Sequence, residues 1–511
     1  MDGTRDKRTK LGEDERPSLF SNSPDGLAGG DDAKRAGPPN RMNDLPYREW
    51  MKFQKSFFRH EPDQEFVERC IYFFTKARWA NQEPSRTLVA GFAEFKPTMV
   101  PKPRHVTFIG NLPSVDSLVG ILQELVDGHE SYDFVLLDLR RLLLSESDLQ
   151  TFLKGQSDGL YSCLRMLTRP DKYCAVVVGS GTKGGAGLPL PWSVAIACRD
   201  HLRLRDEKVA LYERTMAVDY CLIMQAAADG RRACLLSPED VSVSTTSNPI
   251  PAWVIPKPPP RKKNEILHPA KFPETLIEEF VELFTEPRGT VFDPMAGTGS
   301  TIIAAIRKGR SGCGLELSKD YAEIARERIA REPAAGLFAD SPNTPTGIML
   351  EGDATRIGEI PELATRRFDY IVTSPPYWSM LSNKGSEYQR GRREKDLPVV
   401  YSDDERDLGN IRDYDTFISM LATIYQAAGH LLKTGGYLTV IVKNIKRDHV
   451  VYPLAWDLAY RLSDRKGSFE FLGNTLWCQD DLGLKPFAIG IHWVSNTLHN
   501  YCLHFRKVHI G

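Results

Sequence analysis

Residues 290–353 confine this chain to a small set of folds. Thr290-Val291-Phe292-Asp293 reads as a short strand, Pro294-Met295-Ala296-Gly297-Thr298-Gly299 as a glycine turn, and Ser300-Thr301-Ile302-Ile303-Ala304-Ala305-Ile306 as the helix that follows. A second apolar run, Gly312-Cys313-Gly314-Leu315, ends in Glu316, placed 316 − 299 = 17 residues after the last glycine. A third, Ile348-Met349-Leu350, leads through Glu351-Gly352 to Asp353. Strands and helical stretches alternating in this way predict a mostly parallel sheet whose strand C-termini share one crevice. Glycine allows close backbone approach at the first strand end, and the acids at the next two suit a ribose diol and an adenine amine. The pattern is that of a nucleoside site. No Gly-Lys-Ser/Thr follows the glycines, which argues against a phosphate-cradling loop.

A fourth apolar run, Tyr370-Ile371-Val372, is followed by Ser374-Pro375-Pro376-Tyr377-Trp378. A Pro-Pro turn fixes φ and offers no backbone N–H, so its carbonyl is free to face a ligand framed by a hydroxyl and an aromatic ring. That suits a planar base with an exocyclic amine, whose lone pair is delocalised into the ring. Hydrogen bonds from the amino hydrogens to Ser374 Oγ and the Pro375 carbonyl favour a tetrahedral nitrogen and aim its lone pair at an electrophilic methyl. Tyr377 would stack on the base. A base inside a duplex must first be extruded, at a cost of about a few kcal/mol. The bland alternative is a proline-rich loop after a buried strand. The three strand ends upstream argue against it. No Pro-Cys pair supplies the thiolate that a cytosine C5 mechanism needs.

Together with His268-Pro269-Ala270-Lys271-Phe272-Pro273 ahead of a helix, these segments resemble the amino-methyltransferases that make N4-methylcytosine or N6-methyladenine in DNA from S-adenosylmethionine. The resemblance covers the C-terminal half and implies an α/β Rossmann-like methyltransferase fold, a mostly parallel sheet flanked by helices. It implies that His268, Ala270, Lys271, Phe272, Phe292, Asp293, Met295, Ala296, Gly297, Thr298, Gly299, Ser300 and Thr301 hold the methionine end of the cofactor. Glu316 with Leu317, and Asp353 with Ala354, would hold its ribose and adenine; Ser374, Pro375, Pro376 and Tyr377 would be catalytic. Methyl transfer would be direct, with neither a covalent enzyme intermediate nor a metal. Family members often carry Phe where Met295 stands, although Met also fills an apolar gap. Ser before Pro-Pro resembles the cytosine N4 enzymes, with adenine N6 as the alternative. DNA is the implied partner. RNA is the alternative, because the turn reads an amine and not a sugar. An inactive scaffold is a further reading, against which the full motif set argues. The sequence leaves open a companion nuclease, as in restriction-modification, and a homo-oligomer.

The N-terminal half resembles a second, degenerate copy of the same fold. Tyr132-Asp133-Phe134-Val135-Leu136 parallels Phe368-Asp369-Tyr370-Ile371-Val372 at an offset of 369 − 133 = 236 residues. At that offset the catalytic turn falls on Asp138, Leu139, Arg140 and Arg141, so its chemistry is missing. Val106 through Asn111 resembles Ile348 through Asp353, and Lys172 through Val178 resembles Gly436 through Val442. Pro189-Leu190-Pro191-Trp192 stands against Pro453-Leu454-Ala455-Trp456, and Asp219-Tyr220-Cys221-Leu222 against Asn500-Tyr501-Cys502-Leu503. Such internal similarity signals repeated architecture. No glycine turn is found in the first copy, which is expected to pack on its sibling and to hold nucleic acid through Arg140 and Arg141.

These matches set the expected boundaries: a disordered tail at 1–42, a helical segment at 43–103, the degenerate copy at 104–245, a Pro-rich basic linker at 246–263, and the catalytic copy at 264–511. Two cores of this size are within reach of 511 residues at 41% hydrophobic content. A net charge of −1 leaves nucleic-acid contact to local patches. One such patch lies in about 28 residues added after the catalytic turn, where Arg390, Arg392, Arg393 and Lys395 could track phosphates; a solvated loop is the alternative. A second insertion carries Trp477, Lys485, Phe487, His492 and Trp493, which could read a groove; core packing is the expectation for its aromatic rings. Nine cysteines without a Cys-x-x-Cys pair suggest reduced thiols and no metal framework. No apolar run is long enough for a bilayer and no signal-peptide pattern opens the chain, so a soluble, cytoplasmic protein is expected.

Overall fold

Apolar runs bounded by Gly, Pro and Asp build two sheets, seen in a computed structural model that describes residues 42–144, 146–180, 190–226, 250–256, 272–332, 344–376, 378, 406–447, 450–464, 467–480, 484, 493 and 495–508. The first lobe holds β1 (Phe57–Arg59), β2 (Arg86–Ala90), β3 (His105–Ile109), β4 (Tyr132–Asp138), β5 (Thr168–Gly179), β6 (Arg203–Leu211) and β7 (Val218–Gln225). Its helices are α1 (Tyr47–Lys52), α2 (Asp63–Phe74), α3 (Val115–Asp127), α4 (Glu146–Thr151), α5 (Ser157–Leu167) and α6 (Leu190–Ala197). The second lobe holds β8 (Trp253–Val254), β9 (Thr290–Asp293), β10 (Ser311–Glu316), β11 (Gly347–Glu351), β12 (Phe368–Thr373), β13 (Leu432–Val442), the small hairpin β14 (Ile445–Arg447) and β15 (Val450–Tyr452), β16 (Phe469–Cys478) and β17 (His499–Lys507). Its helices are α7 (Glu274–Phe284), α8 (Ser300–Arg307), α9 (Lys319–Ala330), α10 (Pro361–Ala364), α11 (Tyr414–Gly429) and α12 (Leu454–Leu462). Among the described residues no helix is long and apolar enough to cross a membrane.

The two sheets repeat one topology. The first runs β3-β2-β4-β5-β7-β6-β1 and the second β11-β10-β9-β12-β13-β17-β16-β8. In both, the strands from the β3 or β10 side to β5 or β13 are parallel, the lobe's last strand is inserted antiparallel, and a short parallel strand closes the far edge. Local devices repeat as well. Asp133 and Asp369 each sit where the strand register shifts, and each accepts the N–H of the neighbouring strand's first residue, Arg86 at 2.9 Å and Thr290 at 2.8 Å. After α2 and α7, Thr75 and Thr285 each take a side-chain hydrogen bond from the arginine that precedes the second strand to follow, Arg104 before β3 at 3.2 Å and Arg310 before β10 at 3.0 Å. The fold is Rossmann-like, with a tandem arrangement of sheets.

These pairings correct three expectations. Arg104 and Arg310 match β3 to β10, not to β11 as the likeness of Val106–Asn111 to Ile348–Asp353 suggested; a buried parallel strand carries too little pattern to tell its neighbours apart. Among the described residues the first lobe has no strand in the place of β11, and one 3₁₀ turn, Pro97–Met99, where the second has α8. The segment 43–103 is not only helical, because β1 and β2 within it belong to the sheet. Likewise, β8 in the expected linker pairs with β16, so the second sheet starts before residue 264. The tail at 1–41 lies outside the described residues.

The described residues form one compact unit, and one large apolar cluster draws on both lobes. At its centre Trp192 stacks on Trp456, with ring centroids 6.0 Å apart and planes 25° apart, flanked by Phe471 and Tyr501 at 5.8 Å. Trp493, from the second insertion, is fully buried among Phe53, Phe73, Phe74 and Tyr173 of the first lobe. Trp477 is buried in β16. Lys485, Phe487 and His492 lie outside the described residues.

Candidate active site

The site starts from Asp293, the last residue of β9. Its carboxylate is fully buried and accepts hydrogen bonds from Met295 N (3.0 Å) and Thr301 Oγ1 (2.6 Å), which ties the turn to the first turn of α8. Burial pushes its pKa up to about 6, with the Thr301 hydroxyl and the Met295 N–H acting against that rise. The turn itself is docked on β10: Ala296 N donates to Leu315 O at 2.9 Å, and Gly297, at φ +52°, donates its N–H to Glu316 Oε2 at 2.8 Å. The other Glu316 oxygen accepts from Ser318 N at 2.9 Å. Burial raises the Glu316 pKa, and these two N–H groups oppose the shift.

One crevice of about 910 Å³, its open mouth included, collects the ends of four strands. Met295, Ala296, Gly297, Thr298 and Ser300 form its turn wall, with Phe272 alongside. Glu316 and Leu317 come from the end of β10, and Asp353 and Ala354 from the end of β11. Ser374, Pro375 and Pro376, from the end of β12, face the same space. Asp353 Oδ1 accepts from Thr355 N at 2.8 Å and Thr355 Oγ1 at 2.7 Å, while Ser374 Oγ makes no hydrogen bond among the described residues.

Four residues expected to contact a cofactor do not line the crevice. Asp293 and Thr301 are engaged with each other beneath the turn, and Phe292 is core, stacked on Phe368 with centroids 4.8 Å apart. Gly299, at φ +81°, caps α8 and faces Ala325 of α9. These residues hold the turn's shape. His268, Ala270, Lys271 and Tyr377 lie outside the described residues, as do Arg390, Arg392, Arg393 and Lys395.

Sequence reasoning missed Asp407 and Leu408, which also line the crevice. They follow the long insertion and belong to no motif, so only the fold brings them back. Tyr321 of α9 and Ser318, also in the wall, were missed for want of periodicity. Trp378 is buried just beyond the Ser374-Pro375-Pro376 turn, its ring centroid 4.8 Å from Tyr452 and 5.2 Å from Tyr414.

The lining chemistry tests the fit of a cofactor. Glu316, Asp353 and Asp407 are its ionisable acids, and no Lys or Arg joins them among the described lining residues. A phosphate-rich ligand would meet repulsion here, whereas a sulfonium with an ammonium group and a ribose would find acceptors. S-adenosylmethionine fits that donor and acceptor set.

The corresponding place in the first lobe is closed. Gly91 follows β2 at φ +87°, and a Cβ there would lie 2.3 Å from Asp138 O, so the end of β4 fills the space. Arg140 does not face outward for nucleic acid. Its guanidinium is held by Asp138 (2.7 Å), Asp63 (2.7 Å) and Asp219 (3.0 Å), and those partners hold its proton more tightly than usual.

The family of DNA methylases described as N6_N4_Mtase matches residues 224–327. The type II methyltransferase M.ScaI of Streptomyces caespitosus is 35% identical over 95 residues, 18% of this chain and 31% of its own length. The type II methyltransferase M.BglII of Bacillus subtilis is 34% identical over 86 residues, 17% of this chain and 24% of its own. The orphan methyltransferase M.BamHII of Bacillus amyloliquefaciens is 42% identical over 62 residues, 12% of this chain and 23% of its own. The chain thus spans less than a third of the length of these relatives. The turn wall, Glu316 and α9 up to residue 327 fall inside the segment that is similar to the N6_N4_Mtase family of DNA methylases.

Proposed function

We propose that this protein transfers a methyl group from S-adenosylmethionine to the exocyclic amine of a base in DNA, with cytosine N4 favoured over adenine N6. The observation that carries the reading is one crevice shared by the glycine turn, the acids Glu316 and Asp353, and the Ser374-Pro375-Pro376 turn. Bound there, the cofactor supplies an electrophilic methyl. Glu316, already oriented by two backbone N–H groups, accepts from the ribose, and Asp353 accepts from the adenine side. Ser374 Oγ and the Pro375 carbonyl accept from the target amine, which localises the nitrogen lone pair. No residue here needs to remove a proton before the transfer; the positively charged product amine loses one afterwards to solvent. Serine before Pro-Pro is the support for cytosine, by resemblance.

Incubation with labelled S-adenosylmethionine and, separately, duplex DNA, single-stranded DNA and RNA, followed by nucleoside analysis, tests this directly. N4-methylcytosine from DNA is the expected product. N6-methyladenine would move the target base, label in RNA alone would move the substrate class, and no transfer to any of the three would overturn the reading.

A further inference from the structure

We infer that the β14–β15 hairpin transmits the position of the first lobe to the catalytic turn, with Glu207 and Asp206 of β6 as positioning residues. This rests on the reading of Ser374-Pro375-Pro376 given above. The hairpin leaves the end of β13, the strand paired with β12, in a register that sets Thr373 beside Val440. Its two ends of contact are distinct.

On the first-lobe side, charged residues are buried where charge is costly unless paired. Glu207 Oε1 accepts from Asn444 Nδ2 at 3.0 Å and lies 3.2 Å from His499 Nε2, while Oε2 accepts from the Tyr501 hydroxyl at 2.8 Å. Asn444 in turn accepts Ala455 N at 3.0 Å, which fixes its amide. Asp206, fully buried, pairs with Lys446, whose ammonium also donates to Ser495 O at 3.1 Å. Every one of these bonds to Asn444 and Lys446 holds the strand immediately beyond β13.

On the other side the hairpin grips the residue that follows the catalytic turn. The Trp378 ring lies 4.8 Å from Tyr452 of β15, and the Arg447 guanidinium of β14 stands 5.2 Å from its centroid. Trp378 is two residues beyond Pro376, so a shift of the hairpin is felt at the turn. The cofactor wall is differently placed. Strands β9, β10 and β11 lie on the far side of β12 from β13, so loosening the hairpin should disturb turnover and leave cofactor binding intact.

The test uses the full chain with Glu207→Gln, Asp206→Asn, Trp378→Leu and Trp378→Phe. In the first three, kcat should fall about 3- to 10-fold, the scale of one displaced hydrogen-bond set, while the Kd for S-adenosylmethionine stays within about 2-fold. Trp378→Phe keeps a ring for Tyr452 and Arg447 and should recover most of what Trp378→Leu loses. Deuterium uptake should rise in peptides covering 368–378 and 443–452 and stay level across 290–316. Unchanged uptake at 368–378 in Glu207→Gln would overturn the inference, as would uptake and cofactor Kd rising together across 290–316. The exchange measurement needs no nucleic acid, so absence of methyl transfer by the wild type would count against the functional reading and leave this one to be judged separately.

Discussion

Asp293 shows how a residue can be legible in sequence and still be misread in role. Its place at the end of a strand before a glycine turn is plain from the order of residues, but sequence does not tell a carboxylate facing a ligand from one facing the turn's own N–H and hydroxyl groups. Its burial has a consequence for pH. The native carboxyl holds its proton up to about pH 6, against an ordinary value of 3.8, so across that window the folded state binds more protons than the unfolded one. Its contribution to stability therefore falls as pH rises through the window. Relative to Asp293→Asn, the wild type should lose Tm between roughly pH 4 and pH 6, and a pH-independent difference would contradict a buried titration. Ser374→Ala makes the complementary case. It should lower kcat by roughly 10- to 100-fold with little change in cofactor Kd, the loss expected when a single aligned acceptor is removed, and equal losses in both would reassign Ser374 to cofactor binding.

Among the elements, the glycine turn is shaped as much by what lies under it as by its own residues. A Cβ on Gly314 of β10 would stand 2.7 Å from Ala296 Cβ and 2.8 Å from Ile302 Cδ1, so this strand is pressed against the turn and α8 together. Gly314→Ala should destabilise the fold by about 1–3 kcal/mol in chemical denaturation and weaken S-adenosylmethionine binding, because the displaced Ala296 belongs to the crevice wall. Retained affinity with full stability would mean that the turn can shift freely. Most second-lobe strands around the crevice were readable, since each ends in a residue with an evident chemical use: Asp293, Glu316, Asp353, Ser374. The edges were not. β1 and β8 are three and two residues long, too short for any periodicity, and they join sheets through partners more than a hundred residues away. Asp407 and Leu408 were invisible for a related reason: nothing local marks a residue that reaches the crevice only after an insertion.

For the whole molecule, the matched Pro-Leu-Pro-Trp and Pro-Leu-Ala-Trp segments revealed two copies, but no feature of either sequence says that the two tryptophans meet. That contact comes from the packing of α6 and α12 across one shared core. Removing it should be felt on both sides. Trp192→Ala should cost about 3–5 kcal/mol, and unfolding monitored separately in each lobe by hydrogen exchange should shift in step. Independent transitions would show that the lobes are stable alone. The closures at Gly91 and Arg140 explain why, among the described residues, the space beside the β2 end of the first lobe does not repeat the crevice of the second, and why one cofactor per chain is the expected stoichiometry in calorimetry.

Trp192 and Trp456 occupy the same place in their respective copies, and each lies against the other. A position that touches its own counterpart is what a two-fold axis produces in a symmetric dimer. The arrangement gives the two lobes a pseudo-two-fold relation at this pair, the geometry of a self-associated single lobe held within one chain. A single-lobe sequence built from both halves should dimerise through that tryptophan, and a stably monomeric product would contradict the symmetry read from this contact.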